Sequence, residues 1–293
     1  MKHNNILLIR RSVVSLVALF LVFTAAMAQR VDYQRIDSQR VMSLFAKAKS
    51  LKGTSAASYM LFFGRELRGI PYVAKTLDKN SDERLVVNLR GLDCTTFVET
   101  VLALSRSMAQ HKPTFANYCA NLRLIRYKDG LVSYPTRQHY FTYWIQQKAK
   151  AGIVRDIQSP NPPFSAVQTV TANYMTTHIS QYPMLVGKPE MVKKIAAMEK
   201  SITGLKVRYI PRAKVDNTTL MRKTVHDGDI IAIVTTKKGL EISHLGIAAW
   251  HKDGLHLLNA SSLYHKVVED GNLLKKYLYN QKSALGIRIV RPM

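Results

Sequence analysis

Cysteine and negative charge are both scarce in this chain of 293 residues, which holds two cysteines and 19 acidic residues against 43 lysines and arginines. Two cysteines cannot make a disulfide-stapled scaffold or a four-thiolate zinc ribbon, so the fold must rest on a hydrophobic core. No segment repeats at a fixed period and no tract is of low complexity. After the N-terminal stretch, no apolar run approaches the roughly 20 residues needed to span a bilayer. What is present is a balanced composition, 47% hydrophobic, suited to one or two globular domains and too apolar for a disordered chain. The shortage of acids leaves a formal charge of +24, which favours an anionic partner: nucleic acid, a phospholipid surface or an acidic polymer.

The N-terminus narrows that choice. Lys2, Arg10 and Arg11 precede an apolar run from Val13 to Phe23, which ends in Ala26-Met27-Ala28. A basic start, a short apolar run and a small-residue exit read as a secretory signal peptide over residues 1–28, cut after Ala28. The run is too short for a membrane anchor, and no cysteine follows the cut to carry a lipid. Cleavage removes three basic residues and no acidic one, so residues 29–293 keep a charge near +21. The expected location is the periplasm or another exported site, with no stable membrane insertion and no nucleic acid as partner.

The organisation of residues 29–293 follows from periodicity and punctuation. Asp37 or Ser38 is expected to cap a helix ending near Gly53, and Thr54 or Ser55 to open a second that stops at Gly69 and Pro71. A third starts at Asp93, with Phe97, Val98, Val101, Leu102, Ser105 and Met108 at helical spacing on one core-facing side. Further helices are expected from Thr114 to about Arg126, from about Gln138 to Ala151 and from Pro189 to Ile202, with a proline-rich loop at Pro160, Pro162 and Pro163. Strands are expected at Val207 to Ile210, Asp229 to Thr235, Ile242 to Ala249, Leu255 to Ala260 and Ile287 to Val290. Helices first and an antiparallel sheet afterwards make an α+β chain.

The chemistry-bearing residues lie where the two halves meet. In Gly91-Leu92-Asp93-Cys94-Thr95-Thr96, Asp93 can cap the helix and set Cys94 in its first turn, where free N–H groups and the helix dipole stabilise a thiolate. Cys119 sits in mid-helix and reads as a small buried apolar residue. A thiol nucleophile needs a base, and His244 in Ser243-His244-Leu245-Gly246-Ile247 is the best placed of nine histidines. It lies in an otherwise apolar strand, and Gly246 would leave room beside its ring for a helix end or substrate. If His251 to Gly254 form a four-residue loop, Trp250 pairs with Leu255 and Asn259 comes one diagonal step from His244. A loop one residue shorter or longer would present His256 instead.

These segments, in this order, resemble the NlpC-type cell-wall cysteine peptidases and amidases, a superfamily with a papain-like fold. Gly69-Ile70-Pro71-Tyr72 is similar to its Pro-Tyr segment, Asp93-Cys94 with Phe97-Val98 to its nucleophile helix, Gly228-Asp229-Ile230 to its first core strand. Ser243 to Ile247 resembles its histidine strand and Leu258-Asn259-Ala260-Ser261 the strand of the third polar residue. The long basic stretch between Phe115 and Asp227, Asn259 in place of the histidine of many members, and the segment Arg137 to Trp144 are most similar to the N-acetylmuramoyl-L-alanine amidase-like branch.

The resemblance implies one papain-like catalytic domain over 29–293, with a helical N-terminal part (29–112) and an inserted, mostly helical region (about 113–227). It implies Cys94 as nucleophile, His244 as base and Asn259 as orienter, with Tyr72, Asp93 and Ser243 near the substrate. Arg137, His139 and Tyr140 are candidates for contacts to a substrate carboxylate and sugar. The expected reaction is hydrolysis of the amide between N-acetylmuramic acid and L-alanine in peptidoglycan or muropeptides, by a monomer with no metal or organic cofactor. Two other functions fit the same residues: an endopeptidase cutting the γ-D-glutamyl bond of the stem peptide, and an exported protein that binds the wall without cleaving it.

Overall fold

The computed structural model describes residues 31–51 and 56–293. The signal-peptide segment and the helix boundary expected at Gly53, Thr54 and Ser55 lie outside the described residues. In chain order the elements are β1 (Val31–Asp32), α1 (Arg35–Ala48), α2 (Ala56–Glu66), β2 (Leu85–Val86), α3 (Cys94–Ala109), α4 (Phe115–Arg126), α5 (Phe141–Lys150), β3 (Val154–Ile157), β4 (Ala166–Thr169), α6 (Tyr174–Thr177), α7 (Pro189–Ile202), β5 (Lys206–Pro211), α8 (Thr219–Thr224), β6 (Ile230–Thr235), β7 (Ile242–Trp250), β8 (Leu255–Ser261), β9 (Lys266–Glu269), α9 (Leu274–Asn280) and β10 (Ala284–Pro292).

Mixed α/β architecture follows from how these pieces bury their apolar faces. The main sheet runs β4-β5-β10-β6-β7-β8-β9, with β3 also paired to β10, and every pair in it is antiparallel. Alternate residues of β6 and β7 supply the two faces. Ile230, Ala232, Leu245 and Ile247 face the cluster built with α1 to α4, while Ile231, Ile233 and Ala248 face Phe164, Met221, Leu274 and Leu278. Both faces are therefore covered, which is why β6 reads Ile-Ile-Ala-Ile-Val with no polar alternation. Each such Ile, Leu or Val side chain stabilises the fold by roughly 1.5–3 kcal/mol of transfer free energy.

Several sequence expectations change in the packed chain. Helix α1 begins at Arg35 with Gln34 as N-cap; Asp37 is the third helical residue, and its carboxylate accepts bonds from the backbone N–H groups of Gln34 and Leu89, both at 2.9 Å. Helix α3 is buried almost all round from Thr96 to Ser105, because α2, α4 and the strands β7 and β8 enclose it. Helix α5 begins at Phe141, so His139 precedes it and Tyr140 is its N-cap. Strands β3 and β4 come from within the region expected to be mostly helical; at two apolar residues each, they have little hydrophobic periodicity of their own. Around α7 a third cluster forms from Tyr134, Tyr140, Met175, Ile195 and Ile202, and it packs beside the site described next. Among the described residues no helix is long and apolar enough to cross a membrane.

Candidate active site

The capping expected at Asp93 is present as a reciprocal pair. The Asp93 carboxylate accepts the Thr96 N–H at 2.8 Å, and the Thr96 hydroxyl accepts the Asp93 N–H at 2.9 Å. Cys94 is thereby held as the first residue of α3, half-buried, with its N–H among those that a helix leaves without internal acceptors. The Pro71-Tyr72 segment locks this turn from outside. Leu92 donates to Pro71 O and Val73 to Leu92 O, both at 3.0 Å, while Tyr72 donates to His265 O at 2.9 Å. That position beside Cys94 and Asp93, together with burial, raises the Tyr72 pKa: desolvation leads and the two neighbouring charges add to it.

Strands β7 and β8 deliver the other two groups. Trp250 pairs with Leu255 and Ile247 with Leu258, the register that a four-residue loop dictates. His244 and Asn259 then meet, and the histidine Nε2 lies 2.9 Å from the Asn259 Oδ1. Asn259 is fully buried, and its Nδ2 donates to Leu257 O at 3.3 Å, which assigns the oxygen to the histidine side. An oxygen there can only accept, so Nε2 carries the proton and Nδ1 is left free for Cys94, with which His244 shares the cavity wall. Burial alone pulls the imidazole pKa down, but the charge and hydrogen bond of Cys94 and the bond to Asn259 outweigh it, and the net shift is upward. The Tyr277 ring lies 6.3 Å from that of His244 at an interplanar angle of 27°. Burial raises the Tyr277 phenol to about 12, with smaller contributions from Asp270 and Cys94, so it stays neutral.

Cys94 and His244 open onto a cavity of ≈ 110 Å³. Thr95, Val98 and Glu99 of α3, Gln138 to Phe141 with Trp144, and Leu240 to Leu245 complete its wall. Two carboxylates reach this wall and both are engaged. Glu99 pairs with the buried Arg126 at 2.7 Å, and Glu241 accepts the Thr142 N–H at 2.9 Å in the first turn of α5. The Gln138 amide and the Trp144 Nε1, by contrast, are buried without a hydrogen-bond partner.

Of the nine residues singled out by sequence, His244 and Asn259 are hydrogen-bonded to each other, Cys94 lines the same cavity as His244, and Tyr72, Asp93 and Ser243 lie around them. Asp93 acts on the helix cap, and Ser243 is an exposed residue of the cavity wall. Arg137 does not reach the cavity. Its buried guanidinium pairs with Asp78 and, at 3.6 Å, with Glu83, and stands 4.7 Å over the Tyr134 ring, so it has no free charge for a ligand. His139 lines the cavity, but burial and the Arg137 charge push its pKa down to about 3, and Nε2 bonds to Tyr134 O at 2.9 Å. The Tyr140 hydroxyl is turned away, donating to Glu199 at 2.7 Å. Gly246 leaves no space beside His244: a Cβ there would lie 2.6 Å from the Leu257 Cδ1. His256 points to the opposite face of β8, bonded to Asp270 O at 2.8 Å, and does not meet His244. Both cysteines are free, and burial pushes the Cys119 thiol up to about 12. Sequence reasoning missed Tyr277, Gln138 and Trp144. Gln138 and Trp144 lie inside the singled-out Arg137 to Trp144 segment, whereas Tyr277 carries no local signal.

The chain matches the family model described as N-acetylmuramoyl-L-alanine amidase-like (AmiA-like) over residues 62–287. It is similar to the crystal structure of an N-acetylmuramoyl-L-alanine amidase from Bacteroides uniformis, at 35% identity and a TM-score of 0.75, over 81% of this chain and 99% of that one. A Bacteroides fragilis crystal structure that carries the provisional name xylanase aligns at 37% identity and a TM-score of 0.72, over 78% of this chain and 98% of that one. A Legionella pneumophila protein shares the fold, at 22% identity and a TM-score of 0.65, over 87% of this chain and 94% of that one. No curated protein matches.

Proposed function

The chain belongs to the N-acetylmuramoyl-L-alanine amidase-like family, and from that membership we propose that it is an exported cysteine amidase with an NlpC-type, papain-like core. Its substrate in this reading is the amide between the lactyl group of N-acetylmuramic acid and L-alanine, in peptidoglycan or its fragments. The observation that carries the reading is Cys94 at the start of a capped helix, on one cavity with a His244 that Asn259 holds at 2.9 Å.

The geometry supports a two-step acyl transfer. With His244 protonated, the Cys94 thiolate attacks the lactyl carbonyl carbon, and the negative charge moves to the carbonyl oxygen. First-turn N–H groups of α3 are available to bind that oxygen, and the helix dipole favours charge there. Collapse breaks the C–N bond as His244 Nδ1 gives its proton to the departing alanine nitrogen, leaving a thioester. His244 then takes a proton from water, the hydroxide attacks the thioester, and collapse expels the Cys94 thiolate and leaves the lactyl acid, which gives its remaining proton to solvent as the carboxylate departs. Asn259 keeps Nε2–H engaged throughout, so that Nδ1 always faces the sulfur. A cavity of ≈ 110 Å³ holds only the groups flanking the scissile bond, so the rest of a muropeptide must lie along the rim. Export under residues 1–28 would bring the chain to the wall, and a charge near +21 would draw it to a carboxylate-rich substrate.

Glycoside hydrolysis fits poorly. That chemistry uses two carboxyl groups flanking the bond, one as acid and one as nucleophile or base. Here Glu99 and Glu241 are bound by Arg126 and by a helix start. Mass spectrometry of muropeptide digests tests the reading: it expects an intact stem peptide beginning with L-alanine, released by the native chain and not by Cys94→Ala. Trimmed peptides would assign an endopeptidase instead, and retained cleavage by Cys94→Ala would refute the cysteine mechanism.

A further inference from the structure

We propose that His251, Asp253 and His256 form a binding site for one divalent first-row transition ion, with zinc as its representative, at the tip of the β7–β8 hairpin. One potential ligand atom from each of the three residues lies within 4.8 Å of the other two. The site is remote from the catalytic cavity. His244 stands near the start of β7 and His251 just past its end, seven residues on and so roughly 23 Å away along an extended strand.

Each imidazole bonds an acceptor through one ring nitrogen and keeps the other for a ligand. His256 is held by the bond from its Nδ1 to the backbone oxygen of Asp270 at 2.8 Å. A carbonyl only accepts, so Nδ1 carries the proton and Nε2 is the basic nitrogen. His251 contacts Glu269 through Nε2 at 2.7 Å, which likewise directs that proton to a carboxylate and leaves Nδ1 basic. An acceptor behind each ring is the arrangement that fixes the tautomer and raises the basicity of a metal-bound histidine.

The third residue sharpens the argument. The Nε2 of His256 faces both Asp253 oxygens, at 3.1 and 3.2 Å. That ring nitrogen and the carboxylate therefore already converge on one point, as two ligands of a single ion would. Two nitrogens and a carboxylate oxygen suit zinc, copper or nickel better than magnesium or calcium. The backbone holds the loop in shape, since His251 N donates to Gly254 O at 2.8 Å, and Arg222 and Asn217 bind the carbonyls of His251 and Asp253. Ligands about a zinc ion with bonds near 2.1 Å are spaced by about 3.4 Å. His256 is the buried anchor, at 6% side-chain exposure, and Glu269 steadies His251, whereas Asp253 is 64% exposed and free to close the remaining distance. Arg65 holds both oxygens of Glu269 and Arg68 stands 3.8 Å from it, so Glu269 orients His251 and is not itself assigned as a ligand. An ion here would clip the end of β7 to the start of β8, a structural role independent of the cysteine chemistry.

The test uses the untagged full chain, stripped of metal and carrying Cys94→Ala so that the catalytic thiol cannot bind zinc. Titration calorimetry with zinc sulfate should show one ion per chain, and the melting temperature should rise with zinc concentration. The exposed substitutions His251→Gln and Asp253→Asn should each weaken binding by about tenfold or more without unfolding the metal-free chain. His226→Gln, at a histidine outside the cluster, should leave binding unchanged. Absence of zinc uptake at micromolar concentrations, or uptake undiminished in both ligand variants, would overturn the proposal. An NMR spectrum in which His256 Nε2 stays protonated and unmoved by zinc would mean that a proton alone bridges it to Asp253, and would overturn it as well.

Discussion

Replacing Asn259 by alanine isolates the orienting step of the proposed mechanism. The native amide makes two hydrogen bonds, from the His244 Nε2–H to Oδ1 at 2.9 Å and from Nδ2 to Leu257 O at 3.3 Å, and it is fully buried and outside the cavity wall. Substrate binding should therefore be untouched while His244 loses its hold. A hydrogen bond to a charged group contributes about 1.5–3 kcal/mol, and the imidazolium is the form that carries the proton to the leaving nitrogen. At about 1.4 kcal/mol per factor of ten, kcat should fall by roughly 10- to 150-fold with KM nearly constant. The same bond raises the His244 pKa, so its loss lowers that value. A thiolate–imidazolium pair is lost on the alkaline side as the imidazolium deprotonates, and the high-pH limb of kcat/KM should accordingly move to lower pH. The assay is the rate of stem-peptide release by liquid chromatography and mass spectrometry, with circular dichroism to verify folding. A loss below twofold, a rise in KM at constant kcat, or an unmoved alkaline limb in a folded variant would refute the orienting role.

Thiol alkylation at pH 7 should modify Cys94 alone and stop turnover, because burial holds the Cys119 thiol at about 12 and leaves it roughly one part in 10⁵ ionised; comparable labelling of Cys119 would contradict the burial. In Cys94→Ala the NMR-measured pKa of His244 should drop, since Cys94 supplies the main influences that raise it; a constant value would separate the two groups. Arg137→Met should destabilise the fold by about 3–5 kcal/mol in urea unfolding, because Asp78 and the buried Glu83 lose their partner; a stable variant with raised KM would restore Arg137 as a ligand contact. Gly246→Ala sets a Cβ 2.6 Å from Leu257 and should cost about 1–3 kcal/mol of overpacking, visible as a lowered melting temperature; a neutral outcome would show that Leu257 can yield.

The site was legible wherever its determinants are local. Asp93 followed three residues later by Thr96 specifies a helix start, and the helix start specifies where Cys94 stands. The four residues from His251 to Gly254 determine the hairpin register, and period-two alternation then brings Asn259 to His244 and turns His256 away. Legibility failed where partners are distant in sequence. Arg137 looked like a free cation because nothing near it announces that Asp78 and Glu83, more than fifty residues earlier, neutralise it. Tyr140 looked like a contact for sugar until Glu199 claimed its hydroxyl.

Fold class and helix punctuation behave in the same way. Binary pattern and turn residues determined the α+β order of elements, the capped helix that starts at Cys94 and the hairpin, because each depends on residues within a few positions of one another. Only the tertiary structure decided that β3 and β4 leave the inserted region to join the main sheet, and that Gln138, Trp144 and Tyr277 gather around Cys94 and His244. It alone decided which charges are left for a ligand. The reason is physical: hydrogen bonds within a turn or hairpin are dictated by chain geometry, whereas the partner of a buried charge is whichever group the packing of remote segments brings within about 3–4 Å.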